Sequence, residues 1–223
     1  MSQTGCGGHQ QSPFVSPTMQ KVVLTIGHST HPQERFIALL QLHGITALGD
    51  VRSTPYSRIN PQFNREELKE ALRAAGIAYV FLGKELGARS EDPAAYEHGK
   101  VQYERLAQTS LFQNGLKRVQ EGIRKYRLVL MCSEKEPLEC HRAILVARHL
   151  TAFGMDIQHI HADGRLESHL EALNRLERML NLLDDDRFSS REELLYRRQE
   201  ERIAYDSGSA ADENGTSLRG AAE

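Results

Sequence analysis

The chain reads as an α/β protein with an open, mainly parallel sheet and helices on both faces. Three observations lead there. Short apolar runs rich in β-branched residues recur along the sequence, and stretches with apolar residues at three- and four-residue spacing separate them. Each separation is also long enough for the helical crossover that parallel neighbours require.

Residues 1–20, MSQTGCGGHQQSPFVSPTMQ, combine Gly, Gln, Ser and Pro with few apolar anchors and are expected to form a flexible leader. The first strand is expected over Lys21 to Ile26, closing on Gly27-His28-Ser29. Thr30 and Gln33 then have capping-box spacing, and Phe36, Leu39, Leu40 and His43 recur on one helical face up to a stop at Gly44. A second strand is expected from Ile45 to Val51, followed by the Pro-punctuated loop RSTPYSRINPQF. Asn64 opens a second capping pattern before a helix with Leu68, Ala71, Leu72 and Ala75 on its apolar face, and a third strand runs from Ile77 to Leu82.

A polar insertion, GKELGARSEDPAAYEHGK, precedes two helical pieces between Val101 and Lys125 and a fourth strand from Arg127 to Met131. Pro137 interrupts the chain before a helix expected to start at Cys140-His141-Arg142, with a last strand from Asp156 to Ile160 and a helix from about Leu166 to Leu183. Residues 21–183 thus form a single domain, and 184–223 a charged helical extension, most simply solvated, passing into a disordered tail after Asp206.

Composition fits one globular unit: 223 residues, 39% hydrophobic and 26% charged, with a formal net charge of -2 that supplies no global attraction to nucleic acid. No run approaches the roughly 20 apolar residues of a membrane span, and the N-terminus lacks a basic region followed by an apolar one. Three cysteines without a framework pattern suit a reducing compartment, so a cytoplasmic location is expected.

In an open parallel sheet the residues just beyond the strand C-termini converge on one edge, where ligands bind. That rule gathers His28 and Ser29, Asp50, Arg52 and Ser53, and Cys132 and Glu134, with Arg142 at the following helix start. His28 is a candidate proton-transfer group or a buried, hydrogen-bonded histidine. Asp50 is a base or an orienting partner for His28, unless Asp50 and Arg52 simply organise their loop. Arg52 and Arg142 are candidate anion ligands, and Ser53, Tyr56 and Arg58 extend the same polar loop. Cys132 and Cys140 are candidate nucleophiles or inert packed thiols, Cys140 having the more electropositive neighbours in His141 and Arg142. Glu134 is an acid/base candidate or a partner of Arg142. No cofactor is expected outright. The alternative is zinc on His28, Cys132, Cys140 and His141, whose C-x7-C-H spacing is not a standard ligand pattern. Neither G-x-G-x-x-G nor GxxxxGKS/T occurs, which removes the usual dinucleotide and P-loop fingerprints.

Four segments, IGHST (26–30), DVRSTPYSR (50–58), FLGKELG (81–87) and MCSEKEPLECHR (131–142), together with IQHIHADG (157–164), resemble the bacterial and archaeal family of domains of unknown function numbered 488 over most of residues 21–175. The resemblance implies an α/β domain and carries no reaction with it.

The residues point first to a hydrolase or group-transfer enzyme acting on an anionic or nucleotide-like substrate. The alternative is a non-enzymatic nucleic-acid-binding or regulatory domain, with Arg58, Arg65, Lys84 and Arg89 as a phosphate track and Tyr56 or Phe81 as stacking groups. A scaffold acting through the charged C-terminal extension is a third reading. No membrane partner is expected, and oligomeric state is left open.

Overall fold

The computed structural model describes residues 21–181 and 190–206. The expected leader at 1–20, the DDD run and the tail beyond Asp206 lie outside the described residues.

Strand β1 (Val22–Gly27) is buried almost throughout, as a run without polar alternation must be in a sheet covered on both faces. Helix α1 (Gln33–Leu42) buries Phe36, Leu39 and Leu40. The expected Thr30/Gln33 capping box does not form: the helix starts directly after Pro32, and the Gln33 side chain donates to the Gln62 carbonyl instead. Gly44 ends the turn at a φ of +62°, the left-handed conformation glycine reaches at least cost. Strand β2 (Ala47–Asp50) is wholly buried, and helix α2 (Arg65–Ala74) buries Leu68 and Leu72. Asn64 sits at its start, but its side-chain oxygen accepts from the Ser57 backbone rather than from the helix. Strand β3 (Ala78–Phe81) follows at the sheet edge.

The polar insertion folds into helix α3 (Gly83–Leu86) and a two-stranded hairpin of β4 (Tyr96–Glu97) and β5 (Lys100–Val101). Helices α4 (Tyr103–Gln108) and α5 (Ser110–Gly122) are the two pieces expected there, with Thr109 capping the second through the Phe112 backbone. Strand β6 (Leu128–Cys132) is completely buried. After it the chain forms a π-helical stretch, Arg142–Ala147, that continues as α6 (Arg148–Ala152). Strand β7 (Asp156–Ile160) returns to the sheet.

The helix expected from Leu166 begins later. Leu166–Ser168 is instead a short antiparallel strand, β8, and α7 (His169–Leu180) starts behind it with a complete capping box between Ser168 and Glu171. Within the segment expected to be a solvated extension, α8 (Arg191–Ile203) buries Leu194, Leu195, Tyr196 and Gln199, and Gln199 donates to the Leu138 carbonyl at 2.8 Å.

The six-stranded sheet has the order β3-β2-β6-β1-β7-β8, parallel except for β8. Alternate strand residues feed two cores. Leu24, Ile26, Leu48, Val129 and Met131 meet α1 and α2 on one face, while Val23, Ala47, Leu130 and Cys132 meet α4, α5, the Arg142–Ala152 helix, α7 and α8 on the other. Among the described residues no helix is long and apolar enough to cross a membrane.

Candidate active site at the carboxyl ends of the central strands

Strand register sets the site. Gly27 of β1 lies opposite Cys132 of β6, and Asp50 of β2 lies opposite Met131, so three strands end at one level. The helices that follow β1 and β2 cover one face, whereas the helix that follows β6, between them, covers the other. Adjacent crossovers that part in opposite directions leave a crevice at the strand ends. Backbone bonds continue past the sheet, from His28 N to the Cys132 carbonyl and from Ser29 N to the Ser133 carbonyl, each 2.9 Å. A β-carbon on Gly27 would stand 1.8 Å from the Glu134 carbonyl oxygen, so this close approach of the 133–135 loop requires glycine.

The first group in the crevice is closed on itself. Asp50, fully buried, takes both Arg52 Nε (2.9 Å) and Arg52 Nη2 (2.7 Å), and the Tyr79 hydroxyl donates to it at 2.8 Å. Arg52 also donates to the Phe63 carbonyl at 2.9 Å. Asp50 does not touch His28; Arg52 stands between them, its Nη1 3.2 Å from His28 Nε2. The other His28 nitrogen lies 2.8 Å from the Ser29 carbonyl, which only accepts, so Nδ1 carries the proton. The ring also stacks on Phe63 at 4.4 Å. Burial, with Arg52 adding to it, lowers the His28 pKa to about 4 against the raising effect of the Ser29 carbonyl, so the imidazole is neutral near pH 7.

The second group is of a different kind. Cys132 ends β6, while Cys140 and His141 stand where the next helix begins, and all three are buried. Their Cys Sγ and His Nδ1 atoms lie within 4.8 Å of one another, the sulfurs of Cys132 and Cys140 being 3.6 and 3.9 Å from His141 Nδ1. His141 Nε2 donates to the Val51 carbonyl at 3.1 Å, leaving Nδ1 as the basic atom aimed at the sulfurs. Glu134 is exposed as a residue, yet its Oε2 turns inward to 3.1 Å from Cys132 Sγ and 2.9 Å from Cys140 Sγ. Burial pushes the Cys132 thiol up. Cys140 is brought down despite burial, by its hydrogen bond with Cys132 and by Arg142 and His141, so Cys140 is the sulfur that ionises first. Partial burial of the carboxylate, reinforced by Cys140, raises Glu134. His141 is raised by Cys140 and Glu134 against the opposing effect of burial.

Arg142 does not pair with the Glu134 carboxylate. It is 1% exposed, and its terminal nitrogens donate to the backbone carbonyls of Glu134 (2.7 Å) and Lys135 (3.1 Å), clamping the loop from beneath.

A pocket of about 430 Å³ opens against this second group. Cys132, Ser133, Glu134, Cys140 and His141 line it together with Arg52, Ser53, Thr54, Tyr56, Ser57 and Arg89. Of the residues singled out in the sequence, His28, Ser29, Asp50, Arg58 and Arg142 do not line it. His28 is not grouped with Cys132, Cys140 and His141, so the four-residue cluster expected for zinc does not form. Arg58 is exposed, and the Phe81 ring is occupied by Arg65, 5.2 Å from its centroid.

Sequence reasoning named Arg89 of the insertion only for a phosphate track, and it missed three lining residues, Tyr103 of α4 and Ile203 and Tyr205 at and just beyond the end of α8; Arg89 stacks over Tyr205 at 4.3 Å. The only signal for these three was the Tyr content of segments otherwise read for helicity. It also missed a buried chain from Thr25 to His159 (2.7 Å), His169 (3.0 Å) and the Tyr196 hydroxyl (2.7 Å), linking β1, β7, α7 and α8.

Neither the curated proteins nor the solved structures contain a match to the chain. Residues 32–149, more than half of its length, do match the family described as Domain of unknown function DUF488, a span that runs from the start of α1 into α6 and holds the whole Cys132–Arg142 cluster. On that match the chain belongs to the DUF488 family.

Proposed function

We propose that the protein is an enzyme that carries out hydrolysis or group transfer on a small anionic, nucleotide-like substrate held in the crevice at the ends of β2 and β6. The observation that carries this reading is the pocket itself: Cys132, Glu134, Cys140 and His141 line it together with Arg52, Arg89 and the hydroxyl-bearing Ser53, Thr54, Tyr56 and Ser57, around a volume suited to a small ligand. The exposed Arg89 supplies positive charge, and the hydroxyls can orient oxygens of the substrate. Arg52, already tied to Asp50, acts here as a fixed wall.

Glu134 is the group that moves protons. In hydrolysis it takes a proton from water as the hydroxide adds to the electrophilic centre of the substrate, and returns that proton to the leaving group; in group transfer a substrate hydroxyl replaces the water. A panel of nucleotides, nucleosides and phosphorylated or carboxylated metabolites tests the reading. Turnover of a panel member that falls by roughly 100-fold or more in Glu134→Gln is the expected result. Equal turnover by Glu134→Gln and the parent protein removes Glu134 from the chemistry. A panel left wholly unchanged by the parent protein counts against the enzyme reading.

A further inference from the structure

We infer that Cys132, Cys140 and His141 form a binding site for a zinc ion, with Glu134 beside the fourth, pocket-facing coordination position. This rests in part on the proposed activity, since it names what would activate the water there, but metal binding can be read independently of turnover.

Geometry is the main support. Zinc bonds of about 2.3 Å to sulfur and 2.0–2.1 Å to nitrogen, at tetrahedral angles, place a ligand sulfur and a ligand nitrogen roughly 3.6 Å apart. The two Sγ–Nδ1 separations here are 3.6 and 3.9 Å, so the side chains stand close to a coordinating arrangement with little repositioning. The imidazole is oriented as ligand histidines are, with its remote nitrogen donating to a backbone carbonyl, Val51, at 3.1 Å. Each ligand also comes from a rigid place. Cys132 is paired in the central sheet, and Cys140 and His141 lie in a segment whose next residue, Arg142, is clamped to the Glu134 and Lys135 carbonyls.

Charge points the same way. Two sulfurs and a carboxylate oxygen crowd together, with Oε2 within 3.1 Å of both sulfurs, and the terminal nitrogens of Arg142 donate to backbone carbonyls. Without a metal both thiols donate to the Glu134 carboxylate; a divalent cation would instead neutralise the two sulfurs as thiolates beside it. Thiolate and imidazole donors select zinc over magnesium or calcium, which take oxygen. Three protein ligands leave one position for water, the pattern of catalytic rather than structural zinc. Glu134, whose Oε2 lies within 3.1 Å of both sulfurs and which lines the pocket, would stand beside that position.

The test uses the full chain, expressed with zinc and purified under reducing conditions, with elemental analysis for metal and Co²⁺ titration of the stripped protein. The expected result is about one zinc per chain and a thiolate-to-cobalt charge-transfer band. Cys132→Ser, Cys140→Ser and His141→Ala should each weaken metal binding by more than the roughly 100-fold that loss of an outer partner causes, while circular dichroism shows the fold retained. Glu134→Gln should keep the metal. Folded parent protein that takes up neither zinc nor cobalt, a Cys132–Cys140 disulfide in the reduced preparation, or unchanged metal affinity in the Cys132→Ser/Cys140→Ser double variant would each overturn the site. Zinc bound without turnover of any panel member leaves the site standing and counts against the enzyme reading, whereas turnover by protein that takes up neither zinc nor cobalt overturns the site and leaves the enzyme reading standing.

Discussion

Two polar groups sit one strand apart at the same edge of the sheet, and they are built to opposite ends. At the end of β2, Asp50 receives two nitrogens of Arg52 and the Tyr79 hydroxyl, and Arg52 reaches on to His28 and the Phe63 carbonyl, so the charges are consumed inside the protein. At the end of β6, Cys132, Cys140, His141 and Glu134 converge and face a pocket. A closed network fixes the shape of the crevice; an open one is left to meet something else. Chemical reputation alone would have chosen the first group, since it has the histidine, the aspartate and the arginine of familiar acid/base sites. That its hydrogen bonds are satisfied within the protein is the ground for reading it as structural.

Asp50→Ala should have the largest effect on stability. It leaves Arg52 buried without its carboxylate, and the free energy of unfolding should drop by about 3–5 kcal/mol in urea titration; a loss below about 1 kcal/mol would mean that Asp50 is not the keystone described here.

Acid should act next, and through a closed network as well. Burial holds His169 at about pH 4 within its chain to His159 and Tyr196. The unfolded chain therefore binds that proton first. The contribution of His169 is complete above its ordinary value near 6.5 and is lost as pH falls toward 4, at up to about 1.4 kcal/mol per pH unit. Glu167, held down to about 2 mainly by Arg175, adds a second decline as pH falls from 4.5 toward 2. Denaturation midpoints across this range should show both, and His169→Gln should flatten the upper one.

Gly27→Ala bears on both groups, because its β-carbon would meet the Glu134 carbonyl. A cost of about 1–3 kcal/mol is expected, as for other overpacked sites. Displacement of the Glu134 loop should weaken the cobalt charge-transfer band at the same time. Cys140→Ser in metal-stripped protein should cost only about 1 kcal/mol in thermal melts, an ordinary value for one substitution, while abolishing tight metal binding. The smallest effect belongs to Tyr56→Ala. Tyr56 is 63% exposed at the pocket mouth, so stability should stay within about 0.5 kcal/mol while KM rises for any substrate the pocket accepts.

Much of the architecture could be read from residue types. VVLTI and LVLM are unmistakable buried strands, and the strand-end rule brought Cys132, Glu134, Asp50 and Arg52 to one edge before any coordinates. Short antiparallel β8 was not legible, because three residues, Leu166–Ser168, carry no periodicity and run into a helix with good helix formers. The division of labour inside the site was equally hidden. His28 is turned away by Ser29, which adopts a φ of 48°, and Arg142 is diverted by the path of two backbone carbonyls. Neither a left-handed residue nor the path of a loop is written in side-chain chemistry.

The central place of β1 has a consequence in time. Its partners are β6 and β7, so Leu24 must find Val129 and Gln158 across more than a hundred residues of chain. Contacts so distant in sequence raise the entropic barrier to folding. On a ribosome β1 would wait until β6 and β7 had been made, its apolar residues available to chaperones, and the crevice beside it would take shape only when Cys132 and the strands on either side have closed around it.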